Sequence, residues 1–385
     1  MSTPLRALID QRIRDTGPLT TAAFMELALY HPTLGYYTRA PRRTGRAGDF
    51  YTSVDVGPQF GALLAVQVDE MWRRLGAPAS FDLVEVGAGN GQLGRDLLDA
   101  AHARHPELYT ALRLTLVEAG AAARDIHPEM LGPHRVALAA SRPDLPEEIT
   151  GVVLANELLD ALPTHVVTMT PEGLREIYVD RAGGRLVERL GPPSTAALAA
   201  YLERLGLDLG PGWRGEVNLA AVAWIHGLAR SLRRGFAVLV DYGHTADRLY
   251  AGHHAAGTLT TFRRHVADGT GQDPDQPDGP AWLAHPGDQD ITAHVDLTSI
   301  RTAADDAGLD ELGMVDQTRF LLGLGALELG GDDGPAALRT RLALKTLLVP
   351  GGLGSTHQVL LLGRAVGRPR LRGLSMAAAA RTPAS

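Results

Sequence analysis

The feature that most constrains the fold is a glycine-rich turn in the run "LVEVGAGNGQLG". The residues before it, Phe81–Val86, are apolar enough to predict a buried strand, and residues 93–104 have the periodicity of a helix. The glycines of the turn are Gly87, Gly89, Gly91 and Gly94. Glycines at such a junction let the backbone turn sharply and approach a ligand without interference from a Cβ atom. The run therefore predicts a strand–turn–helix unit with a ligand near the turn.

Further apolar segments alternate with helical segments along the chain. Strands are predicted at residues 112–117, 152–155, 237–240 and 358–364, and a hairpin at 175–188 turns at two glycines. This alternation predicts an α/β fold with a parallel sheet that helices cover on both faces. Because ligands of such sheets lie beyond the carboxyl ends of the strands, polar residues that directly follow a strand are candidate site residues.

The glycine turn satisfies two patterns of nucleotide binding. Gly89-x-Gly91-x-x-Gly94 fits the fingerprint of dinucleotide-binding enzymes. Glu85-x-Gly87-x-Gly89-x-Gly91 matches the first motif of class I S-adenosylmethionine (SAM) methyltransferases. At the end of the next strand, Glu118 suits a carboxylate that binds ribose hydroxyls, which both cofactors carry. A purely structural turn and a solvated Glu118 remain open alternatives at this point.

The stretch "VLANELLDALP" places Asn156, Glu157 and Asp160 directly after a predicted strand. In one interpretation Asn156 caps a following helix, and the two acids lie in its first turn. In the other, the three residues bind a substrate. Methyl transfer to nitrogen requires an unshared electron pair in line with the carbon–sulfur bond, and carboxylates match the donors of a guanidinium. We favour substrate binding for Asn156 and Glu157, whereas for Asp160 alone the position in a first helical turn is slightly favoured over substrate binding.

A second strand end carries the run "VLVDYGH", with Asp241, Tyr242 and His244. A histidine that follows a carboxylate just past a strand end is a candidate proton acceptor. His165, in the run "PTHVV", is a weaker candidate of the same kind.

Composition excludes several classes of protein. The chain has 37 Lys and Arg against 44 Asp and Glu, a formal net charge of -7, which argues against a nucleic-acid binder with a generally basic surface. It has no cysteine, which excludes a thiolate zinc site and a disulfide scaffold. It also lacks an apolar run of the roughly 18 residues needed to span a bilayer. We expect a cytoplasmic protein with no metal, no nucleic acid and no membrane partner.

Eight segments, in order between about residues 27 and 364, resemble the MidA-like methyltransferases. They are "LALYHPTLGYYT", "GDFYTSVDVGPQFGALLA", "LVEVGAGNGQLGRDLL", "LANELLDALPTHVV", "VDYGH", "GTLTTFRRH", "DQDITAHVDLTSI" and "PGGLGSTHQVLLLGR". The resemblance implies a class I methyltransferase fold, a Rossmann-like doubly wound sheet with added N-terminal helices and an inserted helical and hairpin subdomain. The expected divisions are a cap at 1–78, a core at 79–172 and 235–365, an insertion at 173–234 and a disordered tail at 366–385.

The resemblance implies SAM as cofactor, S-adenosylhomocysteine as product, and a set of site residues. The cofactor-binding set is Glu85, Gly87, Gly89, Gly91, Glu118, Asn156, Thr52 and Ser53. The substrate-binding set is Glu157, Asp160, His165, Tyr51, Tyr242 and His294. The catalytic set is Asn156, Glu157, His244 and Asp241. Asp49 belongs with residues 51–53 to a segment that closes over the site, and residues 290–296 shape the acceptor pocket.

The implied activity is N-methylation of an arginine guanidinium, in a protein or in free arginine. A guanidinium with a pKa above 12 must lose a proton on methylation, and we expect Glu157 to orient it and a neutral His244 to take the proton. One alternative is an inactive methyltransferase fold that serves as an assembly or binding factor. An NAD-linked oxidoreductase is disfavoured, because about 80 residues precede the glycine turn. The resemblance leaves room for a homodimer.

Overall fold

The computed structural model describes residues 3–39, 52–254, 256–263, 266–268, 272–273, 276–330, 334–349 and 353–376. Its α-helices are α1 (Pro4–Thr16), α2 (Thr21–Tyr30), α3 (Tyr36–Arg39), α4 (Gln59–Arg74), α5 (Gln92–Arg104), α6 (Pro106–Ala111), α7 (Ala121–Leu131), α8 (Ala197–Leu205), α9 (Leu219–Ser231), α10 (Ala246–Leu249), α11 (Leu297–Asp306), α12 (Gln317–Gly323), α13 (Pro335–Leu348) and α14 (Leu353–Thr356). Its strands are β1 (Leu19–Thr20), β2 (Phe81–Val86), β3 (Leu112–Val117), β4 (Leu138–Arg142), β5 (Ile149–Asn156), β6 (His165–Thr170), β7 (Gly173–Ala182), β8 (Arg185–Gly191), β9 (Arg214–Val217), β10 (Leu232–His244), β11 (Thr260–Arg263), β12 (Val266–Asp268), β13 (Gln272–Asp273), β14 (Gln276–Pro280), β15 (Asp290–Thr292), β16 (Val295–Asp296), β17 (Asp310–Asp316) and β18 (His357–Arg364).

The main sheet confirms the predicted doubly wound architecture. Its order is β17-β18-β10-β5-β2-β3-β4, and the short β16 pairs with the end of β10. The strands from β10 to β4 run parallel, whereas β18 is antiparallel to both of its neighbours. Helices α4 and α5 cover one face, and α9 and α11 cover the other. Because both faces are covered, β2 and β5 are buried along nearly their whole length.

A second, antiparallel sheet lies beside the main one. Its order is β1-β7-β6-β9, with β8 paired to β7, and α1 and α2 share its apolar core. The β7–β8 hairpin turns at Gly183 and Gly184, whose φ angles of 55° and 80° suit a tight turn. This sheet takes β1 and β6 from outside residues 173–234, and α9 packs on the main sheet, so the expected insertion at 173–234 does not coincide with the second sheet.

The chain beyond the last strand packs against α4 instead of being disordered from residue 366. Leu371 is buried, the N–H of Gly373 donates to Gln67 Oε1 (3.0 Å), and the N–H of Arg372 donates to Glu70 Oε2 (2.8 Å). The expected disorder is therefore wrong as far as residue 376, and residues 377–385 lie outside the described part of the chain. Across the described residues, no helix combines the length and apolarity needed to cross a membrane.

The sheet has one switch point, between β2 and β5. From β2 the chain goes first to β3 on one side, and β5 lies on the other side. In open α/β sheets the crevice beyond the carboxyl ends of two such strands is where ligands bind. The glycine turn follows β2 and Glu157 follows β5, so both predicted motifs flank this crevice.

Candidate active site

A cavity of about 860 Å³ occupies the switch point. The ends of β2, β3 and β5 form its floor, and Tyr30, Tyr37 and residues 290, 292, 293 and 294 contribute to its walls. Six of the described lining residues are acids and none is Lys or Arg. The acids are Glu85, Glu118, Asp144, Glu157, Asp160 and Asp290. A cavity with this charge balance favours a cationic occupant.

The glycine turn and Glu118 form one end of the cavity. Gly87 and Gly89 have φ angles of 70° and 52°, in the left-handed region that glycine adopts without strain. The N–H of Gly89 donates to Glu118 Oε2 (2.9 Å), and the N–H of Gly120 donates to Oε1 (2.8 Å). Burial raises the pKa of Glu118, and the two backbone donors partly oppose that shift. Glu118 lines the cavity, and each carboxylate oxygen can accept more than one hydrogen bond, so it could also accept from a ribose hydroxyl.

His127 supports the same turn from beneath. Its Nε2 lies 2.9 Å from the carbonyl of Gly89, and its Nδ1 lies 2.8 Å from Ser141 Oγ. Because a carbonyl can only accept, Nε2 carries a hydrogen that it donates to Gly89 O. Burial lowers the pKa of His127, which favours the neutral ring.

Glu85 lines the cavity from within β2. Its Oε2 is buried and has no hydrogen-bond partner among the described residues. Burial raises the pKa of Glu85 to about 8, so the carboxyl is largely protonated at neutral pH. A Cβ at Gly94, in the first turn of α5, would lie 2.8 Å from this Oε2. The absence of a side chain at Gly94 therefore leaves room for the carboxyl group of Glu85.

No helix follows β5, so the helix-cap interpretation of "VLANELLDALP" is wrong. Residues 157–164 run through turns to β6. Glu157 has a φ of 52°, one of three positive values among the described non-glycine residues, and its N–H donates to Val240 O (2.8 Å). A non-glycine residue in this region costs free energy, and such strain is concentrated at functional sites.

Asp241 stabilises this turn and does not face the cavity. Its Oδ2 accepts from the N–H groups of Leu158 (3.1 Å) and Leu159 (2.7 Å), and its Oδ1 accepts from the N–H of Tyr242 (2.9 Å). Burial raises the pKa of Asp241 to about 7. The predicted catalytic contact of Asp241 is therefore replaced by a positioning role, because backbone donors already occupy both of its oxygens.

The carboxylate of Glu157 is held by groups from three parts of the chain. Its Oε1 accepts from Asn156 Nδ2 (3.2 Å) and the N–H of Ser53 (3.4 Å), and it lies 3.4 Å from Nε2 of His357. The other ring nitrogen of His357 donates to Leu353 O (2.9 Å), which leaves Nε2 directed at the carboxylate. Burial alone would lower the pKa of His357, but Glu157 and Asp241 outweigh it and raise the pKa.

Two further acids lie deeper along the wall. Asp160 is buried, and its Oδ1 has no hydrogen-bond partner in the described structure. Burial, followed by the charges of Asp241, Glu157 and Asp290, raises the pKa of Asp160 well above its ordinary value. Asp290 accepts a hydrogen bond from the hydroxyl of Tyr37 (2.7 Å). Asp160 thus has an unused acceptor atom that a donor-rich ligand would satisfy.

His244 belongs to a separate cluster and is not part of the cavity wall. Its ring lies 5.5 Å from that of His254 and 5.3 Å from that of His294, between centroids. His294 does line the cavity, and burial, with the other two rings, lowers its pKa to about 4. The predicted proton transfer to His244 lacks support from this geometry, because His357 is the histidine beside Glu157.

Of the other predicted site residues, some line the cavity and some do not. Thr52, Asn156 and Tyr242 line the cavity, but Ser53 lies behind Glu157 with its Oγ donating to Gln317 Oε1 (3.1 Å). Gly91 begins α5 with a φ of 83° and does not line the cavity. His165 does not reach the cavity, because it lies on the second sheet with its Nδ1 2.7 Å from Glu176 Oε1. Tyr51 and Asp49 lie outside the described residues.

Several site residues had escaped the sequence-based prediction. They are Tyr30, Tyr37, His127, Trp224 and His357. Tyr30 and Tyr37 pack with their ring centroids 5.5 Å apart and were contained in the aromatic segment "LALYHPTLGYYT". His357 was contained in the segment "PGGLGSTHQVLLLGR", but it begins the antiparallel strand β18 and does not follow a strand. His127 had no comparable signal.

The residues present fit SAM. The glycine turn offers backbone without Cβ atoms, the carboxylate of Glu118 suits the ribose, and Asn156 Oδ1 is buried and without a partner in the described structure. Such an acceptor suits a donor group of the cofactor. The strand arrangement and this site define a class I SAM-dependent methyltransferase.

Comparison with known proteins supports the same class of enzyme. The family of S-adenosyl-L-methionine-dependent methyltransferases matches residues 63–315. Among solved structures, a homologue from Burkholderia thailandensis bound to S-adenosyl-homocysteine superposes with a TM-score of 0.86 at 31% identity, covering 96% of this chain and 94% of that one. A native crystal structure from the same organism gives 0.82 at 30% identity, covering 96% and 93%. The chain belongs to the MidA-like family of SAM-dependent methyltransferases, and SAM is its cofactor.

Curated relatives of the chain include mitochondrial proteins. The mouse protein arginine methyltransferase NDUFAF7 is 29% identical over 391 residues, which cover 94% of this chain and 80% of the mouse protein. The human protein of the same name is 29% identical over 350 residues, covering 84% and 74%.

Proposed function

We propose that this enzyme methylates a guanidinium nitrogen of arginine, in a protein or as free arginine. The observation that carries the proposal is the set of acids on the acceptor side of the cavity, where Glu157, Asp160 and Asp290 meet without any Lys or Arg among the described lining residues. A guanidinium has five donors in a planar fork and matches carboxylate oxygens in pairs. The names of the mitochondrial relatives support the same acceptor.

Four positions would hold the cofactor: Gly87, Gly89, Glu118 and Asn156. When bound, SAM supplies a sulfonium-activated methyl group, which a nitrogen lone pair displaces to give methylarginine and S-adenosylhomocysteine. The tasks left to the protein are to hold the guanidinium, to localise its charge and to receive the proton that the nitrogen loses.

Glu157 performs the first two tasks in this proposal. Its carboxylate is fixed by Asn156, Ser53 and His357, so it presents its second oxygen in one orientation. A carboxylate there draws the guanidinium charge to the nitrogens that it binds and leaves the remaining nitrogen richer in electrons. Glu157 and Asp241 outweigh the effect of burial and raise the pKa of His357, which favours a positive charge beside the Glu157 carboxylate.

Asp160 is the second partner and the proton acceptor in this proposal. Its neighbouring acids raise its pKa, and a bound cation would lower it again. Its Oδ1 has no partner among the described residues, so an N–H of the acceptor could donate to it without displacing an existing hydrogen bond. The proton that leaves the nitrogen would then be shared with this carboxylate.

The test is mass spectrometry of incubations with SAM and either free arginine or arginine-containing peptides. We expect a mass gain of one methyl group on arginine and none on matched lysine peptides. Glu157→Gln should reduce turnover at least about 100-fold, while calorimetry shows unchanged affinity for S-adenosylhomocysteine. The exposed Glu129→Gln is the matched control. Cofactor binding without product from any arginine acceptor would contradict the proposal and favour an inactive binding factor.

A further inference from the structure

Three histidines from three segments meet beside the cavity. His244 is the last residue of β10, His254 ends the short 3-10 turn at Gly252–His254, and His294 lies between β15 and β16. One ring nitrogen from each lies within 4.8 Å of the other two, and the rings of His254 and His294 are 5.9 Å apart between centroids. It is the one group of potential metal ligands found among the described residues.

The hydrogen bonding of two of the rings is that of metal ligands. Nδ1 of His254 lies 3.1 Å from Leu249 O, and since a carbonyl only accepts, Nδ1 carries a hydrogen that it donates to this carbonyl. Ligating histidines commonly donate their other N–H to a carbonyl in this way. Nδ1 of His294 is buried and has no hydrogen-bond partner in the described structure, an arrangement that is costly unless something binds it.

From this geometry we propose that His244, His254 and His294 bind a Zn²⁺ ion. Three imidazoles without a carboxylate form a ligand set that suits zinc, whereas non-haem iron sites include a carboxylate ligand. With Zn–N bonds of about 2.0 Å, tetrahedral ligand nitrogens lie about 3.3 Å apart. The ring nitrogens lie at most 4.8 Å apart in the structure. They must therefore approach one another by up to about 1.5 Å to bind the ion, which rotation of the side chains can supply.

The ion would join three segments at the acceptor end of the site. β16 already pairs with β10 beside His244, and the ion adds the segment of His254 to that unit. Since His294 lines the cavity, its position would be fixed by the same ion. Three protein ligands leave one coordination position for water or for an oxygen of a ligand.

The first measurement uses the full chain without a histidine tag, stripped of metal by a chelator. We expect it to bind one Zn²⁺ per chain in competition with a chromogenic chelator. Co²⁺ in place of Zn²⁺ should give the intense visible absorption of a tetrahedral site. His294→Ala and His254→Ala should each lower Zn²⁺ affinity at least 100-fold and abolish the Co²⁺ spectrum.

His226→Ala, a change on α9 outside the cluster, is the control and should leave both signals intact. Far-UV circular dichroism and a cooperative thermal unfolding transition verify that each variant is folded, independently of any ligand in the cavity that His294 lines. Folded His254→Ala and His294→Ala variants that bind Zn²⁺ as tightly as the parent would show an adventitious ion only and overturn the proposal. Absence of stoichiometric binding by the parent would overturn it as well.

Discussion

Nε2 of His357 lies 3.4 Å from Oε1 of Glu157, although the two residues are 200 positions apart in the chain. The pair exists because β18 runs antiparallel to β10, which places His357 opposite Tyr242, and the two rings lie 3.8 Å apart between centroids. The histidine is fully buried, whereas the glutamate reaches the cavity. His357 therefore positions Glu157, and Glu157 is the residue of the pair that can contact a ligand.

Replacement of His357 by Gln should lower kcat about 10- to 100-fold with little change in affinity for S-adenosylhomocysteine. The loss of stability should also depend on pH. Because Glu157 and Asp241 raise the pKa of His357, its stabilising effect is fully present below the ordinary value of 6.5 and disappears as pH rises through the folded-state pKa. Tyr242, whose ring packs on that of His357, stays neutral over this range because burial and nearby acids raise its pKa.

Denaturant unfolding at pH 6 and pH 9 measures this effect. The difference in free energy of unfolding between parent and His357→Gln should be larger at pH 6, and His226→Gln should show no such difference. If the difference in free energy of unfolding between parent and His357→Gln were larger at pH 9 than at pH 6, the raised pKa of His357 would be contradicted.

Replacement of Glu157 by Gly should give a more stable protein than replacement by Ala. Both changes remove the carboxylate, but only Ala must keep a Cβ at a φ of 52°. The left-handed region costs an L-residue about 1–2 kcal/mol. In denaturant unfolding we therefore expect the free energy of unfolding of Glu157→Gly to be higher than that of Glu157→Ala by about 1 kcal/mol. Equal stabilities would show that the turn relaxes when the carboxylate is gone. Both variants should be nearly inactive.

Replacement of Glu85 by Gln should stabilise the cofactor-free protein at alkaline pH. The folded state raises the pKa of Glu85 from 4.5 to about 8, mainly by burial, with Asp96 and Glu118 adding to it. The folded protein thus holds this proton more tightly than the unfolded chain, and stability falls as pH rises between those two values. The advantage of Glu85→Gln should grow from pH 5 to pH 8, to on the order of a few kcal/mol. A pH-independent difference would argue against a protonated Glu85.

Replacement of Glu118 by Ala should weaken binding of S-adenosylhomocysteine about 10- to 100-fold, the range expected for hydrogen bonds to a charged group. The carboxylate also holds the N–H groups of Gly89 and Gly120, so part of the loss will come from a looser glycine turn. Isothermal calorimetry gives the dissociation constants, with Glu129→Ala as the control. Unaltered affinity in Glu118→Ala would exclude the ribose contact.

The parts of the fold that could be predicted are the helices and strands whose pattern is set by neighbouring residues in the sequence. β2 and α5 are continuous apolar and amphipathic segments separated by glycines, and the structure places them at Phe81–Val86 and Gln92–Arg104. β9 is not among the predicted strands, because Arg214–Val217 is only four residues long and pairs with β6, which is remote in sequence. β4 is not among the predicted strands; it is short, and none of its residues is fully buried.

The site was predictable in part for the same reason. Glu118 and Glu157 follow strands, and strand ends of a parallel sheet converge by geometry. The left-handed backbone of Glu157 and the absence of a helix after it depend on the hydrogen bonds from Leu158 and Leu159 to Asp241, which is remote in sequence. His357 gains its importance only from the antiparallel register of β18, which no local pattern indicates.

The position of β18 has a consequence for the order in which the enzyme becomes complete. β17 reaches the main sheet only through β18, which lies between it and β10. A growing chain that has not yet synthesised residues 357–364 can form the glycine turn and Glu118, but it leaves one edge of β10 open and Glu157 without its histidine. Cofactor binding should thus precede catalytic competence during synthesis, and the final strand would act as the checkpoint between them.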